Sequence, residues 1–245
     1  KNYEIFTVPH YATGISITQK GLDYLENYVK EVREEIGFEI PLAIDHMGHI
    51  SEGSVIALAR RLEKYNIAWI EDVAPWMNTN IFKKISEHTT IPVCTGEDIY
   101  LAKNFEPLMK DRAISVVHPD VLTIGGAMEM KKLEGMCDRY GIAAAIHMAE
   151  SPIAFMAAVH IAASMKNIMA IEFHSADHPE WFSLVKGLPD ALIKDGYVQV
   201  PDAPGLGIED INDNTVKKYL HKERCGFFED TVEWNGEWAN DREWS

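Results

Sequence analysis

Six ionisable residues recur along the chain at a nearly constant interval. They are Asp45, Glu71, Glu97, Asp120, His147 and Glu172, separated by 26, 26, 23, 27 and 25 residues. Each closes a short apolar run, in "IPLAID", "IAWIED", "IPVCTGE", "ISVVHPD", "GIAAAIH" and "IMAIEFH". A single acid in such a place is ordinarily a turn former or helix cap, but repetition in register points to chemistry. Three bare carboxylates, Asp45, Glu71 and Glu97, on strand ends about 4.8 Å apart would repel and raise each other's pKa. A divalent cation removes that repulsion, and oxygen-only donors favour Mg²⁺ over Zn²⁺. On the next two strands, Asp120 can accept the Nδ1 hydrogen of His147, fixing its tautomer and leaving Nε2 to exchange protons with a substrate. Glu172, on the last strand, either hydrogen-bonds a substrate carboxylate while protonated or anchors a loop. A cation facing an Asp and His pair suits one reaction type: the cation binds a substrate carboxylate, the imidazole moves the α proton, and the enediolate is stabilised.

Such a constellation needs a scaffold that brings every strand end to one face. The apolar runs read as buried parallel strands. Segments with apolar residues at helical spacing lie between them, as in "EGSVIALARRLEKYN", "NIFKKISEHTT", "AMEMKKLEGMCDRYG" and "PIAFMAAVHIAASM". Alternation without a hairpin signal between adjacent runs predicts an α/β fold with crossover helices. One polar group at the end of every strand selects a (β/α) TIM-type barrel over an open sheet, which gathers its ligand contacts at a single switch point. No G-x-G-x-x-G turn follows the first strand, and "PGLGIED" near 204–209 lacks a surrounding strand and helix unit.

Six units are visible where a barrel has eight. "KGLDYLENYVKEVREEIG" (20–37) reads as the second barrel helix, with Leu22, Leu25, Val29 and Val32 in helical register. "IFTVPHYATGISIT" before it reads as a loop containing Pro9 and Gly14. The first barrel strands are therefore expected to be missing from this chain. A further helix is expected around "WFSLVKGLPDALI". The expected division is residues 1–194 as barrel domain and 195–245 as an irregular C-terminal segment packing on something outside the barrel.

With 23 Lys and Arg against 38 Asp and Glu, the formal net charge is −15. That balance repels nucleic acid and anionic lipid. The three cysteines, Cys94, Cys137 and Cys225, are far apart and form no C-x-x-C pair. No run approaches the roughly 18 apolar residues of a bilayer span, and the start lacks the apolar core of a signal peptide. A cytoplasmic protein with neither membrane nor nucleic-acid partners is the expectation.

The set formed by Asp45, Glu71 in "WIED", Glu97 in "TGE", Asp120 in "HPD" followed by "TIGG", His147 and Glu172 resembles the enolase superfamily, in its mandelate racemase-like branch. The resemblance runs from about residue 20 to the end and implies a Mg²⁺ site, a His base and an enediolate. It also implies an N-terminal α+β capping domain that closes the barrel mouth, expected to be missing from this chain like the first barrel strands, and a C-terminal segment that packs back on it. A symmetric homo-oligomer is implied as well. The Lys-x-Lys motif that the branch often carries is absent.

Racemisation needs proton donors on both faces of the substrate, whereas dehydration of a sugar acid can proceed with one histidine. The expected activity is therefore that of a lyase converting a sugar acid to a 2-keto-3-deoxy acid. A racemase, epimerase or cycloisomerase is the alternative enzyme, and a non-catalytic metal-binding barrel the alternative of another class. A zinc hydrolase barrel would want an early H-x-H pair, and none is seen. His10, Tyr11, His46, His49 and His118 are placed on or near top-face loops, with donors and acceptors suited to a polyhydroxy acid. Trp76 either stacks on substrate or packs.

Overall fold

The computed structural model describes residues 6–10, 14–45, 50–175, 178, 180–189 and 191–219. It opens with β1 (Thr7–His10) and β2 (Gly14–Ile17), followed by helix α1 (Gln19–Ile36). Five strand and helix units come next: β3 (Leu42–Ile44) with α2 (Glu52–Leu62), β4 (Ile67–Glu71) with α3 (Thr79–Ser86), and β5 (Val93–Thr95) with α4 (Glu106–Lys110). Then come β6 (Val116–Val117) with α5 (Val121–Ile124) and α6 (Ala127–Tyr140), and β7 (Ala143–Ile146) with α7 (Pro152–Ala163). After β8 (Ile168–Ile171) the chain forms short strands β9 (Val185–Lys186), β10 (Ile193–Lys194), β11 (Tyr197–Val198) and β12 (Asp210–Ile211), and helix α8 (Asp213–Lys218).

The six apolar runs form one parallel sheet in the order β3-β4-β5-β6-β7-β8. It is a curled part of a (β/α) barrel, in which neighbours in sequence are neighbours in space. Two apolar layers follow from the two faces of each strand. The outward face, with Ile70, Val93, Val117, Ala144 and Ile146, packs under the helices in one large core. The inward face carries a separate small cluster, Cys94, Val116 and Ala145 with Trp69 against it. Because side chains alternate along a strand, Glu71 follows Trp69 inward, His118 follows Val116, and His147 follows Ala145. The polar residues at the strand ends thus project into the barrel mouth on top of that cluster.

Helix α1 is held at both ends. The Thr18 hydroxyl accepts the Gly21 amide at 3.1 Å, and Gly37, at φ 72°, closes the C-terminus with its amide on the Arg33 carbonyl. Arg33 itself is 2% exposed. Its guanidinium donates to the carbonyls of Tyr65, Gly37, Ile40 and Asn66 at 2.9, 2.9, 2.7 and 3.1 Å. It therefore ties α1 to the turns that lead into β3 and β4.

Two expectations are corrected. The segment read as a loop forms the antiparallel pair β1 and β2, with Thr7 opposite Ile17 and His10 opposite Gly14. Pro9 does not prevent this, since both strands of an isolated pair are edges and tolerate a missing donor. β2 also bridges to Ile50, and Ile17 donates to the Ser54 hydroxyl at 2.9 Å, so the pair docks at the start of α2. Second, the helix expected around "WFSLVKGLPDALI" is a 3-10 turn at Trp181–Leu184 followed by β9, which pairs antiparallel with β12. Apolar spacing suits a helix there, but Gly187 at φ 95° packs against Glu209 and Pro189 follows, and neither residue supports a helix interior. The antiparallel pairs lie outside the parallel sheet, and one of them, the hairpin β10 with β11, spans residue 194. Among the described residues no helix is long and apolar enough to cross a membrane.

Replacing Arg33 with Ala leaves four carbonyls without their charged donor, and hydrogen bonds to charged groups contribute about 1.5–3 kcal/mol each before water re-solvates the acceptors. The expected outcome for Arg33→Ala is a destabilisation of roughly 3 kcal/mol or more, measured by denaturant unfolding. Arg33→Lys, which cannot serve four acceptors in a plane, recovers only part of it.

Candidate active site at the barrel mouth

The ends of β3, β4 and β5 bring four carboxylates together. Asp45, Glu71, Asp72 and Glu97 each offer one oxygen, and these oxygens all lie within 4.8 Å of one another. Three of them are the strand-end acids read from the sequence; Asp72 is an addition. In a regular strand, adjacent residues face opposite sides, so Glu71 and Asp72 should diverge. Asp72 instead has φ 45°, a conformation uncommon outside glycine, and the turn it makes brings its side chain back to the cluster. The Thr95 hydroxyl donates to its Oδ1 at 2.6 Å and holds it there.

Burial and crowding together leave an electrostatic signature. Burial, and then the charge of Glu97, push the Asp72 carboxyl well above the usual range against the Thr95 hydrogen bond. Burial raises Glu97 to about 7, with Asp45 and Asp98 adding to it and His147 opposing it. Four oxygen donors that repel one another match the needs of a hard divalent cation, which prefers carboxylate oxygen and tolerates open positions for water or substrate. The donor set therefore fits such an ion, with Asp45, Glu71, Asp72 and Glu97 as the residues that would hold it.

Beside this cluster stand Asp120 and His147, bridged in register as the strands run out. Asp120 Oδ2 lies 3.1 Å from His147 Nδ1. Its other oxygen accepts the amides of Leu122 and Thr123 at 2.7 and 2.9 Å, capping α5. The two glycines after α5, Gly125 at φ 106° and Gly126 at φ 87°, stop it and start α6. His147 Nε2 faces Glu97 at 3.4 Å and Glu172 at 3.7 Å. Burial disfavours the charged imidazole, but Asp120, Glu97 and Glu172 outweigh it and lift its pKa to about 9. Asp120 moves the opposite way: burial raises it, while the His147 contact and the Thr123 amide carry it below the usual carboxylate value.

Glu172 shows a loop-anchoring contact, since its Oε2 accepts the Met148 amide at 3.1 Å while lying near His147. Trp76 packs against the hydrophobic core, and its Nε1 is buried with no partner among the described residues. His10 contributes its backbone to β1 opposite Gly14. Tyr11, His46 and His49 lie outside the described residues.

Besides Asp72, two residues escaped the strand-end pattern. Glu150 sits three residues beyond His147 and forms a close group with it and Asp120. Burial and the Asp120 charge raise its pKa above the ordinary carboxylate value. His118, in "HPD", hydrogen-bonds through Nδ1 to Glu71 Oε1. Its two-residue offset from Val116 was a usable signal, because the inward face of β6 continues through it.

Residues 12–213 match the enolase C-terminal domain-like family. In sequence the chain is similar to a D-xylonate dehydratase of Haloferax volcanii, 34% identical over 187 residues, covering 76% of this chain and 45% of that protein. It is also similar to a D-galactonate dehydratase of Ralstonia pickettii, 26% identical over 202 residues, covering 80% and 52%. The chain thus spans about half the length of these relatives. In structure it resembles a mandelate racemase/muconate lactonizing enzyme-like protein from Rubrobacter xylanophilus, with TM-score 0.80, 30% identity, and coverage of 86% of this chain and 54% of the other. A 3,6-anhydro-D-galactonate cycloisomerase from Zobellia galactanivorans follows with TM-score 0.72, 27% identity, and coverage of 82% and 56%. A curled parallel sheet with its acids and its Asp and His pair at the C-terminal strand ends, and a family match over most of the sequence, lead to one assignment: the chain belongs to the enolase C-terminal domain-like family, in its mandelate racemase-like branch.

Proposed function

We propose that the protein containing this chain dehydrates a sugar acid to a 2-keto-3-deoxy acid, using Mg²⁺ at the carboxylate cluster. The observation that carries this reading is the placement of His147 Nε2, 3.4 Å from Glu97, with Nδ1 held by Asp120. A proton-transfer group so placed stands next to any substrate carboxylate drawn to the cluster. The names of the two dehydratases above support the substrate class.

Asp45, Glu71, Asp72 and Glu97 would hold the cation, which would supply positive charge to the substrate carboxylate. His147 does the proton work at Nε2. With Asp120 fixing the other nitrogen, the ring takes the proton from the α carbon and returns it to the departing β hydroxyl. The C–O bond breaks and water leaves. The resulting enol tautomerises to the 2-keto acid, so atoms and charge balance without an external reductant. Asp120 keeps the imidazole in one tautomer and favours its charged form. Glu172 holds the Met148 amide and with it the start of the loop that follows His147.

Assays of the whole protein with Mg²⁺ and a panel of sugar acids, D-xylonate and D-galactonate first, should yield a 2-keto-3-deoxy product. His147→Asn should lower turnover by at least about 100-fold. Incorporation of solvent deuterium at the α carbon with no loss of water would overturn dehydration in favour of racemisation. Calorimetry should show Mg²⁺ binding weakened more than about tenfold by Glu97→Gln, which removes a charged donor. In the metal-free protein the His147 ring, followed by nuclear magnetic resonance, should titrate near 9 against an ordinary 6.5. Its interaction with Asp120 then stabilises the fold fully below 6.5 and fades as pH rises through about 9. Asp120→Asn should lower that titration point; an unchanged value would remove Asp120 from its role.

A further inference from the structure

Glu71 is gripped from inside the barrel. Its Oε2 accepts the indole hydrogen of Trp69 at 2.7 Å, and its Oε1 meets Nδ1 of His118. All of this is out of solvent at the acid, since Glu71 is 4% and His118 5% exposed. The His118 ring also stands edge-on to the His147 ring, with centroids 5.7 Å apart and an interplanar angle of 81°. It therefore touches both halves of the mouth, the carboxylate cluster and the proton-transfer pair.

The backbone is shaped to bring His118 there. Its amide donates to the Thr95 carbonyl at 3.0 Å. Gly96, at φ 158°, lies so close that a Cβ would stand 2.7–2.9 Å from the His118 backbone. Only glycine permits that approach of the β5 end to the β6 end. The register does the rest, with Glu71 opposite Cys94 and Cys94 opposite Val116, two residues before His118. Glu71 and His118 thus share the inward face.

We propose that His118 is a positioning residue for the cation site, acting through Glu71 with Trp69 as its partner; this rests on the reading of Glu71 as a cation ligand. A Nδ1 hydrogen is available in one neutral tautomer and in the imidazolium, and either form donates to the carboxylate. Two donors on two oxygens fix the rotation of the Glu71 carboxylate, leaving its remaining lone pairs for an ion. They also spread its negative charge among its neighbours, easing the crowding with Asp72 and Glu97. Partners of this kind typically change metal affinity about 10–100-fold when removed.

The test is Mg²⁺ calorimetry on the whole protein, with metal-free melting recorded for every variant. His118→Phe keeps a ring of similar shape without the donor and is expected to weaken binding about 10–100-fold. His118→Asn places an amide nitrogen where Nδ1 was and is expected to recover most of the affinity. Trp69→Phe, which loses only the indole donor, is expected to weaken binding about tenfold. Wild-type affinity in His118→Phe overturns the inference, and so does His118→Asn binding as weakly as His118→Phe, because packing would then be the cause. Should His118→Phe fail to fold, Trp69→Phe decides, and unchanged affinity there overturns the grip on Glu71. If the wild type itself binds no Mg²⁺, the carboxylate reading fails first and takes this inference with it. Normal wild-type binding with an unaffected His118→Phe overturns His118 alone.

Discussion

Like charges packed against each other govern the barrel mouth. Parallel strands all end on the same side, so any acids at their ends are forced together by the spacing of the sheet. Asp45, Glu71, Asp72 and Glu97 meet within 4.8 Å, and burial, with the neighbouring carboxylates adding to it, raises the pKa values of Asp72 and Glu97. The surrounding chemistry answers that repulsion. Thr95 donates to Asp72, Trp69 and His118 donate to Glu71, and His147 lowers Glu97 against the pull of burial. A bound cation completes the compensation in the function proposed here.

The same constraint explains why the helices matter at a distance. A mouth of mutually repelling groups keeps its geometry only if the strand ends are fixed, and each end is short. β6 has two residues and β5 three. Their positions come from the outward core beneath α2 to α7 and from local ties such as the His118 amide on Thr95 and the His147 amide on Pro119. Arg33 does comparable work on the far side, linking α1 to the turns before β3 and β4. Rigid packing outside thus permits electrostatic strain inside.

The six strands and the strand-end positions of Asp45, Glu71, Glu97, Asp120, His147 and Glu172 were legible because a parallel strand is written as a plain apolar run, a pattern that β3 and β8 keep although their central residues are exposed. What ended each run then stood out. Asp72 was hidden because its membership depends on a backbone angle, and neighbouring residues in a strand are expected to part. His118 was visible as a top-face residue, but its partner lies 47 residues away and only register reveals it. Arg33 reads as one more charge on an amphipathic helix, because its four acceptors are carbonyls, which carry no sequence signal. β1 and β2 were obscured by Pro9 and Gly14, breakers in a sheet interior but harmless in an isolated pair. In "WFSLVKGLPDALI" the apolar spacing came from rings, and Trp181 and Phe182 join Phe155 and Phe173 in an aromatic cluster instead of lining a helix.

Asp120 serves two masters with its two oxygens. One caps α5 through the amides of Leu122 and Thr123, and the other faces the His147 ring. A descendant of this chain that lacked the proposed proton transfer would still need the carboxylate to begin that helix. Persistence of the aspartate across a lineage is therefore poor evidence that catalysis has persisted. His147 has no such second employment among the described contacts, which makes the histidine the more faithful marker of a working enzyme.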